Sequence, residues 1–483
     1  MPSVNHLLYG LAANEKLPTE LVEESAVHLA YEGRLTAADI DPWARPDAAL
    51  ALLDQGMGRP EWARLFAADP VVEHREKLAA CPGLPPDVVE ALIADTDIRV
   101  VAEVALWAAP DVAARLAEHQ HAAVRRAAAA NEATPPPVLA ALISGEGLPP
   151  VQRCPVCDRE EPPFVHAPDC PRRDCDLLPG ASCDGSHESA VHDLLSAALR
   201  NPGTPTEAVI GFVDHPSLLL RRALAARRDL PPESYARLAA DPDPGVLADV
   251  AENPAIDGTL IRALAGDDSH DVRRQLAHHP DIPLDVLTRL ARGTRIGGAL
   301  LPRIAAASGA EIEKLACSPD PAVRMLVAQR RDLPPEIRDV LATDPDAKVV
   351  KSVAPHSGLS EAQLRAMVDR HGVRVLAKVA TNPDATPALL EELTRHEPPV
   401  PKALRKVARH RNATASALLA CLGAEQARLL AAGHPALPPQ AIANLLTGTG
   451  TGPDLRVAEQ AAANPSLPHA AMWALLPPPP PAT

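Results

Sequence analysis

The stretch "LPPESYARLAADPDPGVLADVAENP", residues 230–254, decides the fold, because "LPPEIRDVLATDPDAKVVKSVAPHS" at 333–357 repeats its plan. Both run Leu-Pro-Pro, an apolar set ending in Leu-Ala, Asp-Pro-Asp, then Val and a second apolar set. The leucine before that alanine, or its equivalent, recurs as Phe212, Leu238, Leu264, Leu290, Leu315, Leu341, Met367, Leu393, Leu419 and Leu445. Every step is 26 residues except one of 25. Upstream the same position reads Phe66, Leu92, Leu116 and Leu142, which makes about fourteen units, with a less regular start around Leu17-Pro18 and a last unit near Leu475.

Each unit reads as two short helices. Pro231 and Pro232 suit a first helical turn, where a missing N–H is no loss. Tyr235, Leu238 and Ala239 follow helical spacing, as do Val246, Val250 and Ala251 in the second segment. "DPDPG" breaks the chain between them, and Asn253-Pro254 ends the second. No period-two run of β-branched residues offers a strand. Segments this short are unstable alone, so they must stack on their neighbours. The predicted class is all-α: a helical-repeat solenoid of ~26-residue two-helix units with a continuous Leu/Ala/Val core.

The Leu-Pro…Leu-Ala…Asp…Val-Arg…Ala…Asn-Pro pattern resembles the leucine-rich repeat variant family over roughly 60–476. The resemblance implies units that pair an α-helix with a 3₁₀-helix and coil into a right-handed superhelix without strands. It also implies that a small cysteine-rich module can hold a [4Fe–4S] cluster. "DPAVRMLVA" (320–328) is in addition similar to HEAT-like repeats, which pair two α-helices.

One patch departs from the repeat. Leu142 to Phe212 spans 70 residues where one unit takes 26, so 44 are extra (70 − 26). "PPPVLAALIS" (135–144) is a normal first segment and "SAVHDLLSAALRNP" (189–202) a normal second one, so the extra residues replace the turn between them. They contain "CPVCDREEPPFVHAPDCPRRDC" (154–175), which contributes Cys154, Cys157, Cys170 and Cys175; Cys183, His166 and His187 complete the candidate donors. Cys154-Pro-Val-Cys157 is a knuckle that can turn two thiolates toward one ion, and the second pair must come from Cys170, Cys175 and Cys183 or His166. Four such donors close a tetrahedral site with no open position for catalysis. Structural zinc is the first reading. The [4Fe–4S] cluster, which needs four thiolates, is the second, and unligated or disulfide-bonded cysteines are the third. Cys81, Cys317 and Cys421 lie alone in helical patterns and read as small buried apolar residues.

Charge and composition narrow the function. Residues 1–187 carry 15 basic and 29 acidic side chains, residues 188–483 carry 32 and 33, so the net −15 divides as −14 and −1. That is no basic footprint, and aromatics at 2% offer little base stacking; nucleic acid is disfavoured as a partner. Without a basic N-terminal start or an apolar run of roughly 18 residues, the expectation is a soluble, cytoplasmic protein that does not meet the membrane.

Arg221, Arg273, Arg324, Arg374 and Arg456 read as one repeat position, where an Arg–Asp ladder between units is expected over a phosphate-binding stripe; the doublets Arg221-Arg222, Arg227-Arg228, Arg273-Arg274 and Arg330-Arg331 leave charge over. His278-His279 reads as surface, and "GTGTG" (448–452) as a flexible insertion without the Lys-Ser/Thr of a phosphate loop. The expected organisation is an N-terminal cap (1–59), repeats (60–144), a Cys-rich metal-binding insertion (145–188), repeats (189–476) and a Pro-rich disordered tail (477–483). The expected function is a non-enzymatic scaffold that binds an unidentified protein. A HEAT-like nucleic-acid binder and an iron–sulfur redox or sensing protein are the alternatives.

Overall fold

A computed structural model of the chain describes residues 36–38, 40–154, 158, 188–446 and 453–475. Among them there are thirty α-helices, one 3₁₀-helix and no strand. They fall into two compact units, Thr36–Ile296 and the residues from Gly297 onward.

Helices alternate in type along the chain. A first helix starts on proline, as in Pro86–Ile93, Pro136–Ser144, Pro232–Leu238, Pro335–Ala342 and Pro387–Thr394. The fixed φ of proline is that of a helix, and the N–H it lacks would be unpaired there. The second helices are α-helical too, for example Pro244–Glu252 and Ala347–Val353. The 3₁₀-helix, Ile210–Asp214, instead belongs to a first helix. The α/3₁₀ pairing implied by the family resemblance is therefore not the pattern of the described units.

The Asp-Pro-Asp motif does two things. Its second aspartate caps the second helix: Asp97, Asp243, Asp320 and Asp346 accept the N–H two residues on at 3.0, 2.7, 2.9 and 2.7 Å. Such a cap contributes about 1 kcal/mol. Its first aspartate turns inward, where Asp95, Asp241 and Asp344 each accept the N–H of the residue two further on.

Second helices pack on second helices. In the first unit Val72–Ala79, Ile98–Trp107, Ala122–Ala130, Glu188–Arg200, Leu218–Ala225, Pro244–Glu252 and His270–Ala277 touch in succession. In the second unit Pro321–Val327, Ala347–Val353, Val373–Val379, Pro401–Val407, Glu425–Ala432 and Pro453–Ala462 do the same. The register leucine fills the core between layers: Phe66, Leu92, Leu116, Leu142, Leu238, Leu264, Leu290, Leu315, Leu341, Met367 and Leu393 are all buried. Leu419 is not. It is 47% exposed and Leu418 is buried in its stead, a slip of one residue after the longer 382–410 interval.

A polar ladder joins successive second helices. The last carbonyls of a helix have no partner within it. Here a side chain one unit further on supplies the donor. Asn253 Nδ2 donates to Ala225 O (2.7 Å) and to Arg227 O, and Asn382 Nδ2 to Ala354 O (2.6 Å) and His356 O (2.7 Å). Where the rung is histidine, Nε2 donates once: His279 to Asn253 O (3.0 Å), His356 to Ala328 O (2.9 Å), His410 to Asn382 O (2.7 Å), His434 to His410 O (3.1 Å). Where it is arginine it donates to several carbonyls: Arg227 to Leu199, Asn201 and Thr204, Arg330 to Ile304 and Ala307. His279 is fully buried, which corrects its reading as a surface residue. The reason is positional: it occupies the rung that Asn253 occupies 26 residues earlier.

The ladder continues past the cysteine patch. Asn201 Nδ2 donates to Ala129 O (2.8 Å) and Asn131 O (2.9 Å), across 72 and 70 residues where the other rungs of that unit span about one repeat. Pro136–Ser144 packs on Glu188–Arg200 as a first helix on its second.

Candidate functional site

The cysteine patch is described only at its root. Arg153 forms an isolated parallel bridge with His121: Arg153 O accepts from Ala122 N–H (2.9 Å), and Gln152 N–H donates to Gln120 O (3.0 Å). Cys154 follows at once and is buried, 1% exposed. Asp158 N–H donates to Cys154 O (2.9 Å), closing one turn, and the Asp158 carboxylate lies 3.0 Å from His121 Nε2 and 3.0 Å from the Arg153 guanidinium. His121 Nδ1 accepts from Ala123 N–H (3.2 Å), so the ring proton sits on Nε2, facing Asp158. The first donor of the candidate set is thus fixed to the array. Cys157, Cys170, Cys175, Cys183, His166 and His187 lie outside the described residues. Among the described residues no group of three or more His, Cys, Asp or Glu side chains is placed to hold a metal ion. Of the isolated cysteines, Cys81 and Cys421 are buried, which pushes their thiols up to about 12 and about 11. Cys317 is exposed, against expectation, because it stands one residue past the helix Gly309–Ala316.

The arginine ladder is present in part. Arg221 reaches Asp241 (Nε 2.7 Å) and Arg324 reaches Asp344 (Nε 2.7 Å), and Arg75 with Asp95 (Nε 2.6 Å) adds a pair outside the expected set. The aspartate in each is the first of the next unit's turn, 20 residues on. The remaining guanidinium N–H groups donate to the chain entering the helix: Asp69 O, His215 O and Pro216 O, Ser318 O and Pro319 O. The paired aspartate holds Arg75 and Arg324 above the usual arginine range.

Two further arginines share this position, six residues before the rung, and face a glycine at the same offset: Arg125 with Gly145 and Arg273 with Gly293. Arg125 is buried and donates to His119 O (2.5 Å) and Glu118 O (3.3 Å), and burial pulls its pKa down. Arg273 has a buried Nε with no hydrogen-bond partner. Arg374 and Arg456 lie two residues earlier relative to their rungs, Asn382 and Asn464, and are exposed; they do not belong to the ladder.

That displaced position belongs to a surface that the repeat reading missed. Side chains eight, five and four residues before each rung share the open face of the second helix. In Ala347–Val353, Val373–Val379 and Pro401–Val407 those places hold Lys348, Lys351, Arg374, Lys378, Lys402, Arg405 and Lys406, and the three helices contain no Asp or Glu. The signal was in the sequence, as second segments devoid of acid, but it needs the rung as a ruler.

No protein-family model matches the chain, and no curated protein matches it.

Proposed function

We propose that the chain is a non-enzymatic protein-interaction scaffold: a right-handed solenoid of ~26-residue units of the leucine-rich repeat variant kind, with a Cys-rich metal module in the turn between Ser144 and Glu188. The observation that carries this reading is the ladder. Its rungs tie each second helix only to the one before it, and Asn201 takes its place in register beyond the patch. Nearest-neighbour stacking of this kind yields long open faces, and faces bind. In the module, four of Cys154, Cys157, Cys170, Cys175 and Cys183 would close a tetrahedral zinc site that staples a loop poor in apolar residues. A [4Fe–4S] cluster is the second choice, and the colour of anaerobically purified protein separates the two.

Affinity purification of the full chain, with metal analysis of the eluate, tests the proposal. A stoichiometric protein partner and about one equivalent of zinc per chain are expected. A chain that elutes without a partner at physiological salt contradicts the scaffold. Chelation checks the module separately. It should raise hydrogen exchange over 148–187 and leave 333–397 protected, whereas loss of most helical signal would make the metal a nucleus of the whole fold.

A further inference from the structure

We infer that the open face of Ala347–Val353, Val373–Val379 and Pro401–Val407 is the docking site for an extended, Asp/Glu-rich segment of a partner protein. The inference rests on the scaffold reading and names the chemistry of the partner.

Geometry comes first. The three helices pack side by side, and Lys348, Arg374 and Lys402 each stand eight residues before their rungs His356, Asn382 and His410. Lys378 and Lys406 stand four before theirs, and Lys351 five. The cations therefore form rows that run across the helices. Among the described residues none of the seven meets a carboxylate; the nearest polar partner is Gln426 Oε1, 3.5 Å from Arg405. Lys378 is pulled below the usual lysine range, first by partial burial and then by the charges of Arg331, Lys406 and Lys351. A fold that gathers like charges at a cost to itself gains from an anion laid over them.

The row is bounded on both sides. The preceding helix, Pro321–Val327, shows Ala322, Met325 and Leu326 at the same places. The second helix after it, Glu425–Ala432, shows Gln426, Leu429 and Leu430. Carboxylates fence its edges: Asp346 caps the N-terminal end of one helix, and Asp384 follows the C-terminal end of the next. The strip between them is one seven-residue helix wide, about 10 Å. A nucleic-acid duplex would lay its own phosphates against those fences. A single extended chain fits between them. Three helices spaced about 8–10 Å apart span roughly six residues of extended chain at ~3.3 Å each. Five of the seven cations are lysines, point charges that accept carboxylates in many arrangements, where bidentate recognition of a phosphate favours arginine. Val373, 53% exposed at the start of the middle helix, adds one apolar contact.

The test uses the full chain and a fluorescein-labelled oligo-glutamate peptide on the order of twelve residues, twice the estimated span. Anisotropy at low salt should show binding that weakens as salt rises. K351E/K378E/K406E should weaken it at least about tenfold, as three reversed contacts on one strip require. The charge-matched control R64E/R115E/R262E, at exposed pairs of the other unit, should leave it unchanged. Circular dichroism of both variants, with K351Q/K378Q/K406Q as a milder third, separates lost binding from lost folding. Equal binding by wild type and K351E/K378E/K406E overturns the inference. So does tighter binding of duplex DNA than of the peptide at the same salt, which would make the face a phosphate site. If the triple reversal still co-purifies the wild-type partner, the face is wrong and the scaffold stands; if wild type captures none, the scaffold itself fails.

Discussion

Two second helices with the same plan carry different surfaces. In Pro244–Glu252 the open face presents Asp249, and Arg222 of the preceding helix reaches it at 2.6 Å. In His270–Ala277 it presents Asp271 and Arg274, paired at 3.0 Å. In Val373–Val379 the matching places are Arg374 and Lys378, with Lys351 and Lys406 on the flanking helices. Yet the interior rung is the same: Asn253 and Asn382 donate to carbonyls 28 and 26 residues back in the same way. The buried ladder answers to the fold, and the open face is left to other demands. A charge pattern that varies over an invariant interior is where a repeat protein records its partner.

The sharpest way to break this comparison is to damage the interior. Arg324 and Asp344 form a buried pair with side chains 14% and 5% exposed. D344A strands the guanidinium and should cost about 3–5 kcal/mol in urea unfolding, while R324M/D344L should come close to neutral. Arg273 has no such aspartate, so R273M should stay within about 1 kcal/mol of wild type. Equal losses for D344A and R273M would mean that the pairing does not set the stability of the ladder.

Rungs come next. N382A removes two buried donors and should cost about 2–3 kcal/mol; H410A removes one and should cost roughly half as much. The histidine rungs add a pH dependence. His279, His410 and His434 accept an N–H on Nδ1 while donating from Nε2, which only the neutral ring can do. Burial lowers the pKa of His279, His356 and His434, against the hydrogen bonds to Asn253 O, Ala328 O and His410 O. Asp281 opposes the shift at His279, whereas Arg331 and Arg338 at His356 and His410 at His434 reinforce it. With the folded value depressed, the unfolded chain binds more protons below about pH 6.5. This contribution is therefore complete above that pH and is lost as pH falls through it toward the lowered folded values. The melting temperature should drop on acidification, and by less in H279N/H434N than in wild type. An identical drop in the two would assign the effect to carboxylates instead.

The smallest effect concerns the open face. K378Q relieves like-charge repulsion and should stabilise by a few tenths of a kcal/mol at low salt, fading as salt rises. Arg222→Gln, which breaks a pair, should have the opposite sign.

Helix positions were legible because proline, Asp-Pro-Asp and the leucine register are local signals. Leu418 for Leu419, and the two-residue offset of Arg374 and Arg456, escaped because the register was counted along the chain, while the interval between rungs stretches from 26 to 28 residues between His410 and Asn382. His279 was misread because its partner is a carbonyl 26 residues back, which no local pattern reveals. The basic face was hidden for a related cause: its cations are scattered in sequence and meet only when three helices stand side by side. Of the candidate metal donors, Cys154 alone has a described environment.

The long-span rung at Asn201 bears on the order of assembly. Closing a contact over 70 residues in place of 26 adds about 0.9 kcal/mol of chain entropy. The helices before Ser144 and those after Glu188 can each zip up along their own short intervals, leaving this seam to close last. Shortening the loop, by a bound ion or by replacing 147–186 with a tight turn, should speed the final step and leave the earlier ones alone. Stopped-flow refolding with and without the loop would time the seam.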